Sequence, residues 1–278
     1  MNEKSADDDV RVTGLAVLDN ELFMTTCNSN ILLIRGLKNL RTLRRRVIID
    51  DLHDPYDICS CPQNHCLYIF DKDSRKIVSI DKNGNATAPW SRPTVNIVGT
   101  LSVAEDSNVI LILHEEHKLN EYNSDGGLVK EIELFKFGID WPSHAVKLNS
   151  NYYVISHGDY RHCLQRVCLA DVEVGATVRS FGEDLDWPIR REITPFYLAK
   201  DAEGYIMVAD RKSNSVLLLT PWLEFDKVVI KSGDCFNRPE ENLLAERFCL
   251  DEEKRLIVAS NFKLNGRWAC SVMSHKFY

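Results

Sequence analysis

Pro195-Phe196-Tyr197-Leu198-Ala199-Lys200-Asp201-Ala202-Glu203-Gly204-Tyr205-Ile206-Met207-Val208-Ala209-Asp210 decides the fold. Two short aliphatic and aromatic runs flank Asp201-Ala202-Glu203-Gly204, a link whose Asp and Gly supply the chemistry of a turn between antiparallel strands. The second run, Ile206 to Ala209, is too short for a helix. Five other segments share its character: Leu22 to Thr25, Leu67 to Phe70, Val109 to Ile112, Tyr153 to Ser156 and Leu256 to Ala259. In chain order the first residues of the six lie 45, 42, 44, 53 and 50 apart. The 22 residues after Leu256 and the 22 up to Leu22 together make one further period, so the repeat closes on itself as a ring requires. A steady period of this size is the signature of a repeat architecture.

Each anchor has companions. About nine residues upstream lies an apolar stretch, at Gly14 to Val17, Tyr56 to Cys59, Thr100 to Val103, His144 to Leu148, Tyr197 to Lys200 and Arg247 to Leu250. A third follows at Leu32 to Ile34, Ile77 to Ile80, Leu119 to Tyr122, Cys163 to Val167 and Val216 to Leu219, and a fourth at Val47 to Ile49, Val95 to Val98, Leu128 to Ile132, Thr177 to Phe181 and Lys227 to Ile230. Six meanders of about 46 residues predict an all-β chain: a six-bladed β-propeller of four-stranded antiparallel blades. Seven blades fit the length but not the number of anchors, and a β-sandwich does not explain a register kept six times. Residues 1–9 are expected to form a flexible N-terminal segment and residues 10–278 a single propeller domain. Blade six has a third strand near Trp268 to Met273. Glu3 to Arg11 is too polar for a good outer strand, so at most a short pairing next to Val10 is expected there.

Pro195 to Asp201, Gly204, Val208-Ala209-Asp210 and Asn214-Ser215-Val216-Leu217 resemble the NHL repeat, and Pro55, Ile58, Leu67 to Asp71 and Ile77 follow it in part. Val12 to Phe23, Cys61-Pro62 with Cys66 to Ile69, and Trp141 to Val146 with Val154 to Gly158 are similar to uncharacterised invertebrate NHL/TRIM-type propeller proteins. The resemblance spans essentially the whole chain and implies an NHL/TolB-like propeller. It departs where the repeat-ending Asp, present as Asp71 and Asp210, is replaced by Thr26, Leu113, His157 and Ser260. Some relatives carry the propeller behind RING, B-box and coiled-coil segments; no paired Cys-x-x-Cys spacing or heptad run stands here to provide them.

With 44% hydrophobic and 27% charged residues the composition is globular, and disordered or collagen-like classes are excluded. No apolar run reaches the length of a membrane span, and Asp7, Asp8 and Asp9 stand where a signal peptide needs a basic and then an apolar region. A cytoplasmic monomer is expected, with its nine cysteines as free thiols. A net charge of -7 argues against dedicated nucleic-acid binding, which needs clustered cations. The exception, Arg41, Arg44, Arg45 and Arg46, reads as a solvated face of a connecting segment.

With strands lettered a to d from the channel outward, the b-c loops and d-a crossings share one rim, where ligand-binding propellers usually work. The reading places there His53, Tyr56, His114 to His117, Trp141, His144, His157 to Arg161, Phe196, Arg211, Arg247 and Asn261. His53, His114, His117, His144, His157 and His162 lack metal-site spacing, and His114-Glu115-Glu116-His117 does not match the helical zinc motif. Cys61 and Cys66 flank a predicted turn that brings them face to face as packed thiols, Cys59 and His65 beside them. Asp57 is the main carboxylate the inner strands offer a calcium ion. Asp71, Asp201 and Asp210 are expected to satisfy backbone donors, and Trp141, Trp187, Trp222 and Trp268 to pack between blades. Gly-x-Ser-x-Gly is absent. The expected function is a non-catalytic module without cofactor or metal, binding a protein or peptide through Tyr56, His144, His157, Tyr160, Arg161, Phe196, Arg211 and Arg247. The alternatives are a metal-dependent lyase or hydrolase using rim histidines, and single-stranded RNA binding.

Overall fold

The computed structural model describes residues 10–88, 90, 99–158, 166–182, 193–231, 244–251, 253–264 and 267–276. Twenty-three strands form six antiparallel sheets, each a meander in chain order. Blade 1 holds β1 (Val12–Leu18), β2 (Glu21–Thr26), β3 (Ile31–Gly36) and β4 (Asn39–Ile48), and blade 2 holds β5 (Pro55–Cys61), β6 (Cys66–Asp71), β7 (Lys76–Ile80) and β8 (Ala86–Ala88). Blade 3 holds β9 (Gly99–Val103), β10 (Val109–Leu113), β11 (Lys118–Tyr122) and β12 (Leu128–Glu133); blade 4 holds β13 (Pro142–Lys147), β14 (Tyr152–His157), β15 (Arg166–Asp171) and β16 (Ala176–Phe181). Blade 5 holds β17 (Pro195–Lys200), β18 (Ile206–Asp210), β19 (Ser215–Leu219) and β20 (Phe225–Ile230). Blade 6 has three strands among the described residues, β21 (Leu244–Leu250), β22 (Arg255–Leu264) and β23 (Arg267–Lys276).

Burial explains the runs that mark the sequence. Every residue of β10, β18 and β19 is buried, because neighbouring blades cover both faces of a second or third strand, whereas the outer β4, β12 and β16 carry exposed positions along their length. The core is six apolar clusters, one between each pair of adjacent blades. The cluster between blades 6 and 1 joins Val12, Leu15 and Met24 to Ile257 and Ala259. Asn261 adds a polar clasp at that seam: it accepts from the Val12 amide (2.9 Å) and donates to the Val12 carbonyl (2.8 Å). Among the described residues the ring is closed by packing, by this two-point hydrogen bond and by one from Arg247 of blade 6 to the Thr13 carbonyl, and residues 1–9 lie outside the described residues.

Several expectations need correcting. The fourth strand of blade 2 is β8, directly after the Asp81 turn, and Val95 to Val98 lie outside the described residues. The third strand of blade 4 is described from Arg166, and Cys163 to Gln165 lie outside the described residues. The arginine run lies in β4, not in a connecting segment, and Arg44 and Arg45 pair with Glu21 at 2.7 and 2.9 Å. Trp141 and Trp222 are exposed (44% and 56%) rather than buried, each resting edge-on against a ring of the neighbouring blade, His117 and Tyr152. Trp90 takes that role, 5.3 Å from Tyr68 and 5.6 Å from Tyr122, ring to ring. Trp187 and the Trp268 side chain lie outside what is described. Among the described residues no helix is long and apolar enough to cross a membrane.

Asp71 accepts from the amides of His53 (2.6 Å), Asp54 and Ser74, Asp210 from those of Thr194 and Lys212, and Asp201 from those of Glu203 and Tyr205, as expected of turn carboxylates. The seven described cysteines are free thiols; Cys61, Cys66 and Cys168 are buried, and Cys249 and Cys270 half-buried.

Candidate functional site at the channel mouth

One irregularity, repeated around the ring, builds the site. In five blades the pairing of the first two strands skips a residue between Val12 and Gly14, Pro55 and Asp57, Pro142 and His144, Pro195 and Tyr197, and Ala245 and Arg247. Blade 3, entering at Gly99, pairs without a break. A bulge of this kind re-aims the side chains beside it. The residues just after it, Asp57, His144, Tyr197 and Arg247, come from four blades and meet in one buried layer. Gly14 holds the equivalent place in blade 1, where an added Cβ would come within 2.7 Å of the Ile58 nitrogen.

Asp57 is fully buried. One carboxylate oxygen accepts from the Leu101 amide (2.9 Å); the other accepts from the Tyr197 hydroxyl (3.3 Å) and lies 3.8 Å from Arg247 Nε. Burial raises its pKa to about 6, although Arg247 and the hydrogen bonds pull the other way. Arg247 Nε donates to the Thr13 carbonyl, and its guanidinium carbon lies 4.8, 5.0 and 5.5 Å from the ring centroids of Phe196, Tyr197 and Tyr56. Arg211 stacks on Phe196 at 3.4 Å. Two guanidiniums therefore share one phenyl ring, a cation–π arrangement that fixes their planes.

The histidines here are neutral bases. Burial, then the Arg247 charge, lowers the His144 pKa to about 3, and burial lowers that of His114 to about 4. Each lies 3.1 Å, through Nε2, from a backbone carbonyl, that of Leu101 for His144 and of Ser143 for His114, which sets Nε2 as the protonated nitrogen. His144 Nδ1 is buried without a hydrogen-bond partner. His157 is buried 2.8 Å from the Cys168 sulfur, and its pKa falls to about 4 for the same reason. Among the described residues no three His, Cys, Asp or Glu side chains converge as a metal site would need.

Of the residues expected on the rim, Tyr56 and Arg211 are half-buried at the channel mouth, while Phe196, Arg247, His144 and His157 are buried beneath it. Phe196 packs with Phe248 between blades 5 and 6. Tyr56, Phe196, Arg211, Arg247 and His144 form one connected cluster; His157 stands apart in blade 4, and Tyr160, Arg161 and His162 lie outside the described residues. Tyr197 was not among the residues singled out. Aligning the three inner strands that carry a proline before the bulge displays it: Pro55-Tyr56-Asp57, Pro142-Ser143-His144 and Pro195-Phe196-Tyr197 each put a polar group at the third place.

Below this layer, toward the a-b turns, lies a cavity of about 200 Å3 lined by the inner strands of all six blades. Its two cations are held by carboxylates: Lys147 by Glu121 (2.6 Å) and Asp106 (2.7 Å), Lys200 by Glu105 (2.5 Å).

No protein-family model and no curated protein matches this sequence. Solved structures do match in shape. A streptogramin B lyase superposes with a TM-score of 0.61 at 11% identity, over 99% of this chain and 85% of that one. Virginiamycin B lyase from Staphylococcus aureus gives 0.60 at 14% identity over 95% and 85%. A chain of the nidogen/laminin complex gives 0.53 at 13% over 78% and 79%. At such identities the likeness concerns the fold alone: the chain is a six-bladed β-propeller.

Proposed function

We propose that this is an NHL-type propeller of the kind found in uncharacterised invertebrate TRIM-like proteins, working as a non-catalytic binding module that holds a protein or peptide on its b-c and d-a rim. The propeller fold is consistent with a protein-binding scaffold. The observation that carries the reading is the pair of guanidiniums on Phe196. Arg211 is half-buried at the mouth with its plane fixed by stacking, and a pre-ordered guanidinium fork binds a carboxylate with little further loss of side-chain freedom. The occupant is therefore a segment that brings a carboxylate, from Asp, Glu or a chain end, to the channel mouth, with Tyr56 beside it. The repeat-ending Asp71 and Asp210, which hold the crossings into their own inner strands, favour the NHL assignment. On this reading the protein is a cytoplasmic monomer that needs no cofactor, and its net acidity disfavours RNA.

The test is selection of a random peptide library on the wild-type propeller. Peptides enriched in acidic residues or free carboxyl ends that bind Arg211→Ala about tenfold more weakly are expected, a loss near 1.4 kcal/mol. Selected peptides that bind wild type and variant equally would refute the reading.

A further inference from the structure

We propose that Cys61 and Cys66 are a peroxide-sensitive dithiol, a modification site at the a-b hairpin of blade 2 that closes into a disulfide. The two residues are the last opposed pair of β5 and β6 before the turn. Directly opposed residues of an antiparallel pair stand about 4.5 to 5.5 Å apart at Cα, within the roughly 4.4 to 6.8 Å that a disulfide spans, so the backbone is already in place. The turn is well ordered: the His65 amide donates to the Pro62 carbonyl (3.3 Å), with His65 in the left-handed region at φ 50°. Both thiols are buried just beneath the exposed tip, residues 62–65, where a water-sized oxidant needs only a small opening to reach them.

The surroundings distinguish the two sulfurs. The Cys66 thiol, and after it the Asn64 and Gln63 amides and the Ser107 hydroxyl, hold the Cys61 pKa below the ordinary thiol value against burial, and the Cys61 thiol lies 3.7 Å from Gln63 Oε1. The pKa of Cys66 is pushed up by its neighbour Cys61 and by burial. Cys59, two residues earlier on the same strand and opposite Tyr68, is raised by burial and by the charge of Asp57, which makes it the inert neighbour.

The chemistry balances with a hydroperoxide as oxidant. The Cys61 thiolate attacks a peroxide oxygen, the O–O bond breaks, and Cys61 becomes a sulfenic acid as one water leaves. Cys66 sulfur then attacks Cys61 sulfur, the S–O bond breaks, and the hydroxyl departs with the Cys66 proton as a second water. Two thiols thus lose two electrons and two protons while hydrogen peroxide is reduced to water.

The test uses the full chain, reduced, freed of reductant, exposed to hydrogen peroxide near neutral pH, alkylated and digested with trypsin. The peptide of residues 47–72 is expected two hydrogens lighter, with Cys59 still alkylated, and Cys59→Ser is expected to behave as wild type. Cys66→Ser should stop at a Cys61 sulfenic acid captured by a dimedone probe, and Cys61→Ser should leave Cys66 alkylatable. Closure is expected about tenfold faster in the folded protein than in the guanidinium-unfolded chain at the same pH. Full alkylation of Cys61 and Cys66 after peroxide, pairing of either with Cys59, or equal rates in folded and unfolded protein would overturn the proposal.

Discussion

The two ends of the channel handle cations in opposite ways. At the a-b end Lys147 and Lys200 each meet carboxylates at hydrogen-bonding distance, around a small cavity lined by all six blades. At the b-c end Arg247 and Arg211 lie on aromatic rings, and Arg247 also faces the Asp57 carboxylate, whose pKa burial raises to about 6. A lysine neutralised by carboxylates is a fastening between blades. A guanidinium laid on a ring face takes its orientation from that ring as well as from its polar partners. On the proposed reading one end fastens the blades and the other recognises a ligand, and each expectation below would break or sharpen that contrast.

The largest effect is expected from Arg247→Ala. It strips Asp57 of its counter-charge and the Thr13 carbonyl of its donor inside the core, and should cost about 3 to 5 kcal/mol of stability by urea unfolding. Asp57→Asn should cost clearly less, because the carboxyl's raised pKa, about 6, means that its ionised form gains little from these surroundings. Equal losses would mean that the upper layer is an ordinary ion pair like those below.

Acid should loosen the upper end. His114, His144 and His157 have pKa values depressed to about 4, 3 and 4, so between about pH 6.5 and 4 the unfolded chain binds protons that the native state does not. Stability is then full above pH 6.5 and falls as pH drops toward 4, each histidine steepening the slope by at most about 1.4 kcal/mol per pH unit. Asp57 runs the other way, its raised pKa giving a contribution that is largest below pH 4 and lost as pH rises through about 6. His144→Phe should flatten the acid limb of urea midpoints measured against pH. An unchanged limb would show that His144 is not held neutral.

At the seam, Asn261→Ala leaves the buried Val12 amide and carbonyl without partners and should cost about 2 to 3 kcal/mol. The smallest effect belongs to the lower end. Lys200→Ala removes a pair whose Glu105 side chain is 76% exposed and should change stability by less than about 1 kcal/mol, with no change in peptide binding.

The ring was legible in the sequence because both faces of every second strand are covered, which turns those strands into apolar runs with a visible period. Details failed where links vary. The three-residue Ala86–Ala88 gave no strand signal beside the more apolar Val95 to Val98. The site was legible in part. Tyr56, Phe196, Arg211 and Arg247 were found from loop position and residue type, but not their burial, since the bulge that re-aims them leaves no mark beyond a proline. Contacts such as Tyr197 with Asp57, 140 residues apart, arise only once the ring is closed.

The most direct measurement is the affinity of a peptide selected on the wild-type propeller for Arg211→Ala, taken with the thermal midpoint of the same variant. Arg211 is half-buried at the mouth, so the expected result is a Kd about tenfold or more weaker with a midpoint within roughly 2 °C of wild type. An unchanged Kd, or a weaker one that merely follows a fall in stability, would contradict the assignment of recognition to the Arg211–Phe196–Arg247 end of the channel.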